Sequence, residues 1–126
     1  MLPGLILVSG REYPVQFSVD SGAAQTVLGS DFAPLLQPQQ LPSTGTVLLS
    51  AAGEVNSFFA SLRLAFVDDA RRRVIFSLNC AVLTDARQAN THLLGRDVLD
   101  YFAVICDKDA DRVTLLRPPH TYTIRL

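Results

Sequence analysis

Tyr13-Pro14-Val15-Gln16-Phe17-Ser18-Val19-Asp20-Ser21-Gly22-Ala23-Ala24-Gln25-Thr26-Val27-Leu28 is the stretch that decides how this chain folds. The apolar-rich run Tyr13 to Val19 reads as a strand, and it delivers Asp20 into a Ser-Gly turn at its end. Thr26-Val27-Leu28 then resumes as a short apolar strand. Upstream, Leu5 to Val8 and the Gly-containing turn Ser9-Gly10-Arg11-Glu12 make a hairpin with the same strand. Far downstream, Leu93-Leu94-Gly95-Arg96-Asp97-Val98-Leu99 supplies a second apolar-apolar-Gly element. The chain holds one Asp-Ser-Gly and no Asp-Thr-Gly.

Outward from this stretch, short apolar runs alternate with turns. Ser30-Asp31 is expected to cap a helical turn through Phe32, Leu35 and Leu36, and Gln37 to Ser43 to follow as loop. Thr46 to Ser50 and Val55 to Ala60 flank Ala51-Ala52-Gly53-Glu54, a long hairpin with a small, flexible tip. Leu62, Leu64 and Phe66 alternate toward a turn at Asp68-Asp69-Ala70-Arg71, and Val74 to Leu83 answers as a strand. Thr91 to Leu94 reads as a strand broken by Gly95, and Val98, Leu99 and Phe102 mark one face of a helix about two turns long. A last hairpin joins Ala103 to Cys106 with Val113 to Leu116, before Pro118-Pro119 and an alternating tail, Thr121 to Leu126. The expected fold is all-β, closed or barrel-like and mostly antiparallel, with one short helix near the C-terminus. Residues 1–126 form a single domain on this reading.

The composition narrows the class of partner. At 126 residues the chain is too short for two lobes each carrying its own site. Hydrophobic residues make up 48% and charged residues 18%, an apolar excess that suits a chain burying part of its surface against a partner. Eleven basic against twelve acidic side chains leave no electrostatic footprint for nucleic acid or an anionic membrane. Cys80 and Cys106 sit in apolar runs without Cys-x-x-Cys spacing, so both are expected as buried free thiols in a reducing compartment. Met1-Leu2 lacks a basic start, and Gly4 to Val8 is too short for a signal core or a membrane span. No targeting segment is read, and a cytoplasmic location is the expectation.

Phe17 to Leu28, the small hairpin tip Ala51-Ala52-Gly53, and Leu93 to Leu99, in that order and at these separations, resemble the retropepsin-like aspartic proteases across nearly the whole chain. The chain past the helix is more similar to the bacterial and DNA-damage-inducible branch than to the short viral members. The resemblance implies the closed barrel of the acid protease fold and assigns roles by position. Asp20 is then the catalytic carboxylate. Ser21 braces the partner's loop across a dimer axis, Gly22 leaves room for substrate backbone, and Ala23 completes the active-site loop. Ala51, Ala52 and Gly53 form a flap tip; Val27, Val47, Val55 and Leu93, with Ala23, are pocket walls that favour hydrophobic side chains near the cleaved bond. Leu94, Gly95 and Arg96 support the loop from beneath.

With one Asp20 per chain, the implied enzyme is a homodimer acting on a peptide or protein substrate. Two carboxylates a few ångströms apart share one proton; the ionised member takes a proton from water while the protonated one donates to the developing oxyanion. That chemistry calls for no metal or cofactor and favours mildly acidic conditions. The chain departs from the viral pattern in one place. Where viral members often carry an acidic partner for the Arg, this chain has Ala24, leaving Asp97, Asp31 or Glu12 as substitutes for pairing with Arg96.

Other readings fare less well. Asp107-Lys108-Asp109-Ala110-Asp111 begins like a calcium loop, but Arg112 and Pro118 stand where Gly and Glu are required, which leaves a hairpin turn. His92 and His120 lack metal-ligand spacing, with His92 expected as a packed or surface residue beside the pocket; Arg71-Arg72-Arg73 reads as a solvated loop. No Gly-x-Ser-x-Gly element supports a serine nucleophile. The competing functional class keeps the same fold as a catalytically inactive dimerisation or peptide-binding module.

Overall fold

Ser9 and Gly10 both take positive φ (52° and 74°), the conformation of a two-residue hairpin turn whose twist matches its strands. They join β1 (Leu2–Val8) to β2 (Arg11–Val19), paired antiparallel from Leu2 opposite Phe17 to Val8 opposite Arg11. The hairpin is thus longer and its turn tighter than the sequence reading. A computed structural model describes residues 1–49 and 53–119, leaving aside the side chains of 43–49. Ala51, Ala52 and the tail 120–126 lie outside the described residues.

β3 (Val27–Leu28), β4 (Gln40–Leu49), β5 (Gly53–Val67), β6 (Arg73–Leu83) and β7 (Leu93–Leu94) complete a seven-stranded sheet in the order β1-β2-β7-β3-β6-β5-β4, in which β1 also pairs with β5. The chain is mainly β, as its composition of short apolar runs predicts. Most neighbours are antiparallel; β2–β7 and β3–β6 are parallel. Among the described residues, β8 (Ala103–Asp107) and β9 (Arg112–Leu116) form a separate two-stranded sheet, the expected final hairpin.

Strand periodicity builds the core. Ile6 and Val8 from β1, Val15 and Phe17 from β2, and Leu62, Leu64 and Phe66 from β5 bury alternate side chains in one cluster. Along β5, Val55 and Ser57 are buried as well as Phe58 and Ala60, so this part of the strand is covered on both faces. Val55 joins a second, smaller apolar cluster with Val27, Ala81 and Leu83, against which Phe59 and Leu93 pack. At the 0.8 kcal/mol or so that each buried methylene contributes, the two clusters are the main stabilising term.

Four local expectations are corrected. Neither Ser30 nor Asp31 caps the helical turn: Ser30–Phe32 is itself a tight 3₁₀ turn that begins from Gly29, leading into α1 (Ala33–Leu36). The loop expected over 37–43 is shorter, because β4 already pairs at Gln40 opposite Ala60, and a register shift between Gln40 and Thr44 absorbs Pro42. The C-terminal helix is present but spans only Arg96–Leu99 (α2), one turn instead of two. Tyr101 and Phe102 pack against Phe76, with ring centroids 5.4 and 5.7 Å away, and turn the chain toward β8. Cys80 is buried as expected, its thiol pushed upward in pKa first by burial and then by the nearby Asp97; Cys106, on β8, is exposed.

Candidate functional site

β7 is only two residues long, yet it decides the geometry around Asp20. It inserts between β2 and β3, pairing Ser18 with Leu93 and Val19 with Leu94 on one side and Val27 with Leu93 on the other. The connection between β2 and β3, residues 20–26, must therefore arch over the chain as it leaves β7. Thr91 and His92, expected in this strand, precede it, although the His92 carbonyl still accepts the Ser18 N–H at 2.9 Å.

Backbone hydrogen bonds fix both ends of the arch. Asp20 N–H donates to the Leu94 carbonyl at 3.0 Å, and Arg96 N–H donates to the Ala23 carbonyl at 2.8 Å. Within the turn, Ala23 N–H returns to the Asp20 carbonyl at 3.2 Å. Gly22 N–H donates to Asp20 Oδ1 at 2.9 Å, orienting the carboxylate. Asp20 is half-buried, while Ser21 and Gly22 are exposed. Among the described residues, Asp20 Oδ2 has no hydrogen-bond partner.

Gly95 explains why a glycine follows the two leucines. A Cβ there would lie 2.5 Å from the carbonyl carbon and oxygen of Gln25, so the arch rests directly on its backbone. Beside it, Thr26 is fully buried and its hydroxyl accepts the Gly95 N–H at 3.2 Å. Asp97, in the first turn of α2, accepts from both the Thr26 N–H and the Thr26 hydroxyl. The sequence reading assigns Thr26 no site role and offers Asp97 only as one of three possible partners of Arg96. The signal available for them was a threonine ahead of an apolar pair and an acid in a first helical turn, and neither names the other.

The structure brings together Asp20, Ser21, Gly22 and Ala23 over Leu94, Gly95 and Arg96. Leu94 is fully buried in the main core. Of the anticipated pocket walls, Val27, Val55 and Leu93 meet in the smaller apolar cluster, which Ala23 does not join. Val47 lies opposite Val55 in the β4–β5 register. Gly53 opens β5 with φ of +71°; the other two flap-tip residues, Ala51 and Ala52, fall outside the described residues.

None of the three acids considered for Arg96 pairs with it. Glu12 is engaged by Arg73, Asp97 by Thr26, and Asp31 makes no ion pair with it; the exposed Arg96 meets the arch through its backbone. His92 is packed: its Nδ1 accepts the Gly29 N–H at 2.9 Å, and its ring lies 5.1 Å from that of Phe32. Burial lowers the His92 pKa from its ordinary value, partly offset by Asp31. Among the described residues, cavities of about 450, 440 and 340 Å³ are lined by residues other than Asp20.

No family model matches this chain, and no curated protein does.

A carboxylate held by a backbone N–H, with its second oxygen uncommitted, is equipped to exchange protons with water or substrate. No helix among the described residues is long and apolar enough to cross a membrane.

Proposed function

We propose that this chain is one protomer of a homodimeric, retropepsin-like aspartic endopeptidase in which Asp20 of each copy contributes to a shared dyad. The observation that carries this reading is the insertion of β7 between β2 and β3, which seats the Asp20-Ser21-Gly22-Ala23 turn on Leu94-Gly95-Arg96 through hydrogen bonds at both ends. Pairing of β1 with β5, in addition to the linear strand order, supports the closed barrel that the reading carries with it.

A rigid arch suits the chemistry. Two carboxylates facing each other across a dimer axis cannot both ionise, so one holds the proton. The ionised Asp20 takes a proton from the attacking water, and the protonated one donates to the carbonyl oxygen as it gains charge. Gly22 N–H, bonded to Oδ1, keeps the carboxylate from rotating away during this exchange. The apolar cluster of Val27, Val55 and Leu93 beside β7 supports a preference for hydrophobic side chains near the cleaved bond.

Cleavage of a mixed peptide library from roughly pH 3 to 7 at several protein concentrations tests the reading, because a two-chain dyad requires both acid-favoured activity and a dimer. Activity that follows the dimer fraction and vanishes in Asp20→Asn supports it. A well-formed dimer that cuts nothing at any pH overturns it and leaves the inactive dimerisation or peptide-binding module as the reading.

A further inference from the structure

We propose that the recess between the β1–β2 turn and the outer faces of β5 and β6 binds a small organic phosphate, its dianionic head on Arg11 and Arg63 and its apolar body on Leu7 and Ile75. The proposal stands apart from the protease reading. Strand β2 carries Arg11 at one end and leads to Asp20 at the other, which puts the recess roughly 30 Å along the strand from that carboxylate.

Strand register assembles the site. Glu12 lies opposite Leu7, Leu7 opposite Arg63, and Arg63 opposite Ser77, so one row crosses β2, β1, β5 and β6. Residues directly opposite share a sheet face, and here it is the outer one, because Leu62 and Leu64 on either side of Arg63 are buried in the core. The next row on that face is apolar: Pro14, Leu5, Ala65 and Ile75. Arg73 reaches across β5 and β1 to pair with Glu12, and both side chains line the recess. Its volume is about 450 Å³, within the range of small-molecule sites.

The charge in the recess is one-sided. It is lined by the guanidiniums of Arg11, Arg63 and Arg73 and the carboxylate of Glu12, a net +2 in a chain whose net charge is −1. Glu12 is taken by Arg73. Among the described residues, the side chains of Arg11 and Arg63 make no ion pair and no hydrogen bond. Two unneutralised guanidiniums around one concavity repel each other, a cost that a bound anion removes.

The chemistry of these groups selects the ligand. A guanidinium presents a planar fork of N–H donors that matches phosphate oxygens two at a time. Near pH 7 a phosphate ester carries close to two negative charges, the number left unbalanced here, whereas a carboxylate supplies one. The hydroxyls of Ser61 and Ser77 add donors on the same face. Beside them Leu7 is half-buried and Ile75 is 47% exposed, and covering that surface with an apolar body is favourable.

Titration calorimetry of the full chain with phenyl phosphate at low ionic strength tests this. One phenyl phosphate per chain is expected, with a Kd of about 1 mM or tighter. Inorganic phosphate, which lacks the apolar body, and benzoate, which lacks the second charge, are each expected to bind at least about tenfold more weakly. Arg11→Gln and Arg63→Gln each weaken phenyl phosphate at least about tenfold. Glu12→Gln, which releases Arg73, tightens it about threefold or more, a change that damage to the fold does not imitate. Arg112→Gln, removing an exposed guanidinium on β9 outside the recess, leaves binding unchanged. No binding to wild type, unchanged binding in Arg63→Gln, equal weakening in Arg112→Gln, or no tightening in Glu12→Gln overturns the proposal. Benzoate binding as tightly as phenyl phosphate overturns the dianionic head, and inorganic phosphate binding as tightly overturns the apolar body.

Discussion

Asp97 grips Thr26 with both carboxylate oxygens: Oδ2 accepts the Thr26 N–H at 3.0 Å and Oδ1 accepts the Thr26 hydroxyl at 2.7 Å. Because that hydroxyl also accepts the Gly95 N–H, Thr26 joins two groups distant from it in sequence, Gly95 and Asp97, in one network beneath the Asp20 arch. The network ties the start of β3 to α2, so the turn between β2 and β3 cannot shift without breaking it.

Replacing Thr26 by valine keeps the shape but leaves the buried Gly95 N–H without an acceptor. A loss of about 2 to 4 kcal/mol in urea unfolding is expected, whereas Thr26→Ser, which keeps both hydrogen bonds and loses a methyl group, costs about 1. Equal losses in the two variants would show that the methyl group, not the hydroxyl, stabilises the arch.

Gly95 and Gly22 separate folding from activity. A side chain at Gly95 meets the Gln25 backbone, which cannot yield, so Gly95→Ala is expected to cost more than about 3 kcal/mol or to prevent folding. At Gly22 the nearest atom to a new Cβ is Asp20 Oδ1 at 3.1 Å, the end of a side chain. Gly22→Ala should therefore stay within about 1 kcal/mol of wild type in unfolding and, on the proposed protease reading, cut peptides at least about tenfold more slowly.

Asp68 sets an acid limit. The Arg72 backbone N–H, followed by the Arg117 guanidinium, holds its carboxyl down at about 2. A carboxyl lowered in the folded state stabilises above its unfolded value near 3.8 and loses that contribution as pH falls toward 2. Unfolding measured across this window should show stability falling with acid, and the fall should be shallower in Asp68→Asn. Identical slopes would assign the acid loss to other carboxylates, such as Asp85, which Arg87 also holds at about 2.

His92 acts in a higher window. Its ring is held neutral by burial and its Nδ1 is an acceptor, so protonation removes the bond to the Gly29 N–H. With the folded pKa below the ordinary 6.5, its contribution is complete above that value and declines as pH drops below it. His92→Gln should flatten stability between about pH 7 and 5 by removing the titrating group. A slope unchanged in this variant would exclude His92 as its source.

Much of this fold was legible residue by residue. The Ser9-Gly10 turn, the alternation of Leu62, Leu64 and Phe66, and the hairpin after Ala103 are set by local conformational preference and by a two-residue period, both present in the chain before it folds. The same is true of the Asp20 turn and of the glycine after Leu93-Leu94, because few residue types satisfy such backbone geometry. Tertiary structure decided the rest. A two-residue strand such as β7 is too short to show a period, and its place between β2 and β3 depends on long-range pairing. Helix α2 stops after one turn because Tyr101 and Phe102 find Phe76. Cys106 lies exposed because an apolar run on an uncovered hairpin reads like one in a core. The partnership of Thr26 with Asp97 exists only once the chain has brought its two ends of that network together, since hydrogen bonding between distant residues leaves no periodic trace in sequence.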